Sequence, residues 1–228
     1  MRKVFSSLNK QLYDFISNLS YKNDLRNCLH LQAYVHDCKT LTRKCWNCNE
    51  SLCKCMFFCK CGKIQKPSHQ CTYFDMFGIP ENEFDLDLNF INKRWKQFQQ
   101  DLHPDKYSKF SEYEKKLSEE SSAIVNEAYH TLKYPLLRAI YILTIKGYKL
   151  DEEDITIDPD FFGEMIEYNE RIVEINNDKD REILRNEIDQ KFNDILKNVS
   201  DSILNTRYDE AFKHLKFLIY FSNLKNKL

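Results

Sequence analysis

The chain has 228 residues, 42% of them hydrophobic, 14% aromatic and 30% charged, the balance of a folded protein with room for one or two cores. A net charge of −1 lacks the basic surplus of a dedicated nucleic-acid binder, and the longest apolar run, near residues 139–145, falls far short of the ~20 residues that span a bilayer. With only 4 Gly and 5 Pro, β-sandwiches and Gly-rich phosphate-binding folds are disfavoured, and helices joined by short polar loops are favoured.

Residues 1–44 carry eight Lys or Arg against three acids, Asp14, Asp24 and Asp37. Val4, Phe5, Leu8, Leu12, Phe15, Ile16 and Leu19 recur there at helical spacing, between Arg2, Lys3, Lys10 and several serines. A basic, acid-poor amphipathic helix without a continuous apolar stretch has the pattern of a mitochondrial presequence and not of a secretory signal. The expected location is the mitochondrial matrix. The alternatives are a first helix of the fold in a cytoplasmic protein, or an import signal for another organelle such as a plastid.

Seven of the nine cysteines fall between Cys45 and Cys71, with Cys28 and Cys38 outside. The cluster reads Cys45-Trp46-Asn47-Cys48, then Cys53 and Cys55, then Phe57-Phe58-Cys59-Lys60-Cys61-Gly62. Two close cysteine pairs can offer four thiolates to one tetrahedral ion, and zinc ligation supplies the folding free energy that so short a segment lacks. The expected ligands are Cys45, Cys48, Cys59 and Cys61. Cys59-x-Cys61 is one residue tighter than the usual C-x2-C spacing, so Cys53 or Cys55 stands as a reserve ligand. Disulfides are disfavoured in a reducing compartment, inert buried thiols by the clustering, and an iron–sulfur cluster is the alternative cofactor.

Tyr73-Phe74-Asp75-Met76-Phe77 before Gly78-Ile79-Pro80 predicts a short helix stopped by Gly and Pro. From about Leu88, Ile91, Trp95, Phe98 and Leu102 form one narrow helical stripe, with Lys93, Lys96 and Gln100 opposite and His103 flanking them. Pro104 ends that helix. Tyr113, Leu117, Ile124 and Ala128 mark a second long helix that stops near Pro135. The two antiparallel helices pack stripe to stripe and present His103-Pro104-Asp105 on the connecting loop.

A short Tyr-Phe helix, a basic helix, His-Pro-Asp and a second long helix together resemble a J domain. Further on, Val125-Asn126-Glu127-Ala128-Tyr129, Thr131-Leu132, Pro135-Leu136, Arg138-Ala139 and Tyr141 resemble the HscB-type co-chaperones of iron–sulfur cluster assembly. Cys45-Trp46-Asn47-Cys48 resembles the metal-binding extension of the eukaryotic members. The resemblance covers residues 45–228. It implies docking of His103, Pro104, Asp105, Lys93 and Lys96 on a 70-kDa heat-shock chaperone of the DnaK class, whose ATP hydrolysis is thereby accelerated.

Beyond an acidic linker at residues 151–154 and the helix-start signal Asp158-Pro159, helical patterns alternate with polar breaks near 176–180 and 199–206, giving three helices. The first carries two stripes: Phe161, Met165, Tyr168 and Ile172, and about 100° away Phe162, Ile166 and Val173, edged by Glu170. The last is split likewise between Phe212, Leu215 and Ile219 and Phe217, Phe221 and Leu224. From periodicity alone the second stripe is either deeper core or an exposed binding patch. The resemblance implies the patch: Phe162, Ile166, Glu167, Glu170 and Phe217 hold the iron–sulfur scaffold protein, with Gly163 reducing the contact area.

The expected architecture is therefore all-α. A targeting or helical segment (1–44) and a zinc-binding cysteine element (45–71) precede a helical-hairpin J domain (72–148) and a three-helix scaffold-binding bundle (149–228). The function implied is that of a non-enzymatic adaptor that delivers the scaffold to the chaperone and promotes cluster transfer, without nucleic acid or membrane as partner. A general J protein for folding or import in an organelle is the alternative. A zinc-ribbon nucleic-acid module lacks its basic surplus, and an enzyme lacks a phosphate loop or a Ser/His/Asp order.

Overall fold

A computed structural model describes residues 43–52, 55–65, 71–81, 83–150 and 159–228, with the side chains of the last stretch described from Phe161 onward. The amphipathic pattern of residues 1–42, Cys28, Cys38, Cys53 and the acidic linker lie outside the described residues. The chain divides into two compact units with the boundary between Ile145 and Lys146. Helices dominate both, as the expected all-α class requires.

In the amino-terminal unit, β1 (Arg43–Lys44) pairs antiparallel with β2 (Ser51–Leu52), Arg43 opposite Leu52. A single bridge joins Phe58 to Ile64. Helix α1 (Tyr73–Phe77) starts on a reciprocal cap, in which Thr72 Oγ1 accepts from the Asp75 N–H while Asp75 accepts from the Thr72 N–H. It ends at Gly78, whose φ of 71° lies in the left-handed region that a glycine enters without steric penalty.

Helix α2 (Leu88–Leu102) is capped by Asp87, whose carboxylate accepts from the Asn89 and Phe90 N–H groups. It packs along α3 (Glu112–Lys133), and α4 (Pro135–Ile145) packs on α3 in turn. Phe74, Phe77, Ile91, Leu102, Leu132, Tyr141, Ile142 and Leu143 are almost completely buried, each large apolar side chain being worth about 1.5–3 kcal/mol. The Tyr141 ring stacks on Tyr73, and its hydroxyl accepts from the Tyr73 N–H at 2.8 Å. Buried Arg138 fixes the α3–α4 corner by donating to the carbonyls of Leu132 and Phe84.

The buried face of α3 differs from the expected stripe. Leu117, Ser118, Ser121, Ser122, Val125, Ala128 and Leu132 face inward, whereas Tyr113 is exposed and Ile124 half-buried. Ser118 and Ser122 meet α2, Ser122 through the Gln99 side chain, and two of the three serines satisfy their hydroxyls on backbone carbonyls: Ser118 donates to the last carbonyl of α2, Leu102, at 2.7 Å, and Ser121 to Leu117 at 2.6 Å. Periodicity read from apolar residues alone misses a face built from serine.

In the carboxy-terminal unit, α5 (Pro159–Val173), α6 (Asp178–Leu204) and α7 (Tyr208–Lys225) are the expected three helices. The second break is shorter than expected, since Val199, Ser202 and Ile203 are buried helix and the chain turns only at residues 205–207. Phe161, Met165, Tyr168, Ile188, Ile195, Val199, Leu215, Leu218 and Phe221 fill the core. Tyr220 donates to the Met165 carbonyl and accepts from the Asn169 amide, both at 2.8 Å, which locks α5 to α7. Among the described residues no helix is long and apolar enough to cross a membrane.

Candidate functional site

Three groups of predicted site residues have distinct surroundings. The first is the cysteine element. Two tight turns bring the predicted ligands together: Cys45 N–H donates to Glu50 O and Asn49 N–H to Cys45 O, while Cys59 N–H donates to Lys63 O and Gly62 N–H to Cys59 O. Asn49 (φ 59°) and Gly62 (φ 80°) take the left-handed geometry that such turns need. The four sulfur atoms of Cys45, Cys48, Cys59 and Cys61 lie within 4.8 Å of one another, with Cys45 Sγ at 3.8 Å from Cys61 Sγ and Cys48 Sγ at 3.5 Å from Cys59 Sγ.

The donors around these sulfurs suit thiolates. Asn47 N–H (3.4 Å) and the buried Gln65 amide (3.2 Å) point at Cys45 Sγ, and the Asn47 side-chain amide points at Cys61 Sγ at 3.8 Å. Burial opposes ionisation of Cys45, yet the Cys48 and Asn47 N–H groups outweigh it and bring this thiol down to about 6. The Lys63 N–H likewise lowers Cys61. At Cys48 the Glu50 N–H favours the thiolate, but closeness to Cys59, burial and the other two sulfurs push the thiol up to about 12. Four anions at this spacing repel one another, and a bound cation is what would allow all four to ionise. A donor set of four thiolates at this separation fits a tetrahedral zinc ion.

Cys55 is not a reserve ligand. It is joined by a disulfide to Cys71, with the two Cα atoms 5.5 Å apart, well inside the bridging range. The tight Cys59-x-Cys61 spacing needs no substitute, because Gly62 lets the turn close with both sulfurs on one side. The expectation that disulfides are absent fails for this pair: sequence spacing does not reveal that residues 55 and 71 meet in space.

Contacts that sequence reading missed tie this element to the hairpin. Trp46 donates its indole N–H to Ile64 O at 2.6 Å and meets Tyr113 edge-to-face, with centroids 5.2 Å apart. Phe57 packs edge-on against Phe98. Lys63 Nζ lies 2.9 Å from the buried Glu114 carboxylate, which also accepts from Ser111 Oγ. The Lys63 hydrogen bond holds the Glu114 carboxyl below the usual glutamate range, against the opposing effect of burial. The Ser111-x-x-Glu114 spacing of a capping box is the signal that marks this position in the sequence.

The second group is the loop at the end of α2. His103 takes extended geometry (φ −62°, ψ 128°), and Pro104–Tyr107 form a single 3-10 turn. Asp105 N–H donates to His103 Nδ1 at 3.2 Å, and an Asp105 carboxylate oxygen lies 3.6 Å from the same nitrogen. The backbone is held from both sides: Ser118 bonds Leu102 O, and buried Tyr107 donates to Asp101 O at 3.2 Å. The functional groups themselves face solvent, with side-chain exposures of 53% for His103 and 91% for Asp105. Lys93 and Lys96 are exposed on α2, as expected. Gln99, Gln100, Asp101, His103 and Lys106 line a shallow concavity of about 520 Å³.

The third group is on the bundle. The first stripe of α5 is core (Phe161, Met165 and Tyr168 buried), whereas Phe162 and Ile166 on the second stripe are half-buried and Val173 is 84% exposed. Phe162, Ile166 and Glu170 fall on one side at i, i+4 and i+8, with exposed Glu167 next to them. On α7, Phe217 is half-buried with its ring centroid 3.8 Å from that of Phe161, while Phe221 and Leu224 are fully buried. The second stripe is thus divided between surface and core. Glu167 reaches Arg171 at 4.0 Å, and Arg171 forks onto Glu187. Gly163 faces open space, so a larger side chain would fit there.

A helical hairpin that displays His-Pro-Asp after a basic helix, followed in sequence by a three-helix bundle, defines the J-type co-chaperone class. A family profile described as the HSCB C-terminal oligomerisation domain matches residues 157–228. The chain is 31% identical over 195 residues to the mouse iron–sulfur cluster co-chaperone protein HscB, covering 83% of each chain. It is 32% identical over 182 residues to the Arabidopsis thaliana homologue, covering 78% of this chain and 69% of the relative. The crystal structure of human co-chaperone protein HscB superposes with a TM-score of 0.76 at 32% identity, over 81% of this chain and 96% of that one. The chain belongs to the HscB family of co-chaperones.

Proposed function

We propose that this chain is a non-enzymatic co-chaperone of iron–sulfur cluster assembly in the mitochondrial matrix. It binds the cluster scaffold protein on its bundle, presents that scaffold to a DnaK-class chaperone, and stimulates the chaperone's ATPase so that the cluster is passed on. The observation that carries this reading is the loop after α2: His103 and Asp105 are exposed on a backbone pinned by Ser118 and Tyr107. A pinned loop presents a carboxylate and an imidazole at low entropic cost, and the exposed lysines of α2 favour encounter with an acidic groove.

On the bundle, half-buried Phe162 and Ile166 supply apolar anchors, and Glu167 and Glu170 set orientation. Phe217, whose ring lies against Phe161, is the third apolar anchor, supplied by α7. Cys45, Cys48, Cys59 and Cys61 would hold one zinc ion, which supplies structural crosslinking and no chemistry. The remaining residues of the element keep that site ordered: Gln65 and Asn47 orient sulfur lone pairs, while Trp46 and Lys63 bind the element to α3.

The test is a single-turnover ATPase assay with a mitochondrial DnaK-class chaperone and the scaffold protein. Stimulation by the chain that rises further when scaffold is added supports the reading. Equal stimulation by unfolded peptide, with no response to scaffold, assigns the chain to general folding instead.

A further inference from the structure

Cys55 and Cys71 lie outside the tetrad and yet are bonded to each other across 16 positions of sequence. The loop they close carries Cys59 and Cys61, half of the tetrad, together with the Phe58–Ile64 bridge and Gln65, whose amide points at Cys45 Sγ. The far end of the loop is anchored, because Cys71 is buried immediately before Thr72, the cap of α1. We propose that Cys55 and Cys71 form a thiol–disulfide exchange site whose oxidation staples the second ligand pair of the tetrad to the start of α1. The staple rests on the reading of the tetrad as a metal site for its consequence, but not for its existence.

The two ends of the pair differ in the way exchange requires. Cys55 is half-exposed and Cys71 buried, so Cys55 is the entry point for a small disulfide such as oxidised glutathione. The Cys55 thiolate attacks one glutathione sulfur, forming a mixed disulfide and releasing one glutathione thiolate. The Cys71 thiolate then attacks Cys55 Sγ, forming the Cys55–Cys71 bond and releasing the second glutathione. Two protein thiols are oxidised, one glutathione disulfide is reduced to two glutathiones, and the two thiol protons finish on them. Cys71 Sγ lies 3.6 Å from the Thr72 carbonyl, an acceptor at hand for its S–H once the bond is reduced.

Asp75 completes a group of three with the two sulfurs, all within 4.8 Å. Its carboxylate is engaged by the Thr72 N–H at 3.1 Å as the reciprocal cap of α1, which favours a thiol pair over a second metal site. A disulfide confined to this loop removes freedom that the metal would otherwise have to remove on binding. Oxidation therefore tightens the hold of Cys59 and Cys61 on the ion without touching the ligands.

The experiment equilibrates the full chain, loaded with zinc, in glutathione buffers of increasing oxidised fraction. Free thiols are then trapped by alkylation, peptides are mapped, and zinc release into a chromogenic chelator is timed. The expected result is a Cys55–Cys71 crosslinked peptide that rises with oxidised glutathione, and zinc release slower on the order of tenfold in the oxidised chain. Cys55→Ser and Cys71→Ser should release zinc at the reduced rate under all buffers. Both residues alkylated at every ratio, either one bonded to a tetrad cysteine, or a second zinc per chain lost in Cys55→Ser would overturn the proposal, as would a bridge that leaves release unchanged. A chain that forms the bridge but binds no zinc supports the exchange site and counts against the tetrad reading.

Discussion

The loop after α2 and the second stripe of α5, the two surfaces proposed to meet partners, are built in opposite ways. On the loop, the backbone is secured from inside by Ser118 and Tyr107, and the exposed side chains at issue touch the fold only through the hydrogen bond from the Asp105 N–H to His103 Nδ1. On the bundle, Phe162 and Ile166 are half inside the fold already, and the Phe217 ring packs at a tilt against the core residue Phe161. A polar site can be separated from the structure that carries it. An apolar site shares its side chains with the core, so binding and stability change together.

The largest effect should come from the loop. His103→Gln or Asp105→Asn should reduce chaperone ATPase stimulation at least ~30-fold, the scale of a binding hot spot, while thermal stability stays within about 0.5 kcal/mol of the unchanged chain. A variant that melts early and stimulates normally would reverse the assignment. On the bundle, Phe162→Ala with Ile166→Ala should weaken scaffold binding by ~2 kcal/mol or more and lower stability by only ~1 kcal/mol. Phe217→Ala should weaken binding less and destabilise more, about 2–3 kcal/mol, because it strips a ring from Phe161. Calorimetry beside a scaffold titration separates the two.

Smaller effects bear on what connects the cysteine element to the hairpin. Glu114→Gln should cost about 1–2 kcal/mol, toward the low end because Lys63 is partly exposed. The folded Glu114 carboxyl titrates below its ordinary value, so its contribution is present above the usual glutamate range and is lost as pH falls through the folded value. The stability difference between the variant and the unchanged chain should therefore shrink on acidification, measurable by thermal melts from neutral pH down through the carboxylate range. Finally, Lys93→Ala with Lys96→Ala should weaken chaperone docking modestly, more at low salt than at high, since both side chains are exposed.

The hairpin is legible because its signals are local and contiguous: Gly78 stops α1, Pro104 stops α2, and His103-Pro104-Asp105 needs no long-range contact to be recognised. The same holds for the tetrad, whose cysteines sit in two short turns. The buried face of α3 is not legible in this way, since Ser118, Ser121 and Ser122 are polar by composition yet packed by virtue of their size. Cys55 and Cys71 illustrate the limit again, because their meeting depends on how the loop folds back to α1. On α5 the spacing reveals two stripes, but only packing against Tyr220 and Phe221 decides which is core.

The central claim is that one chain carries two separable binding surfaces, one polar and one apolar. The most direct measurement runs scaffold binding and chaperone ATPase stimulation in parallel on His103→Gln and on the Phe162→Ala, Ile166→Ala variant. The expected result is crossed: the first variant binds scaffold normally and fails to stimulate, and the second stimulates when scaffold is absent but does not bind it. Loss of both activities in either folded variant would contradict it.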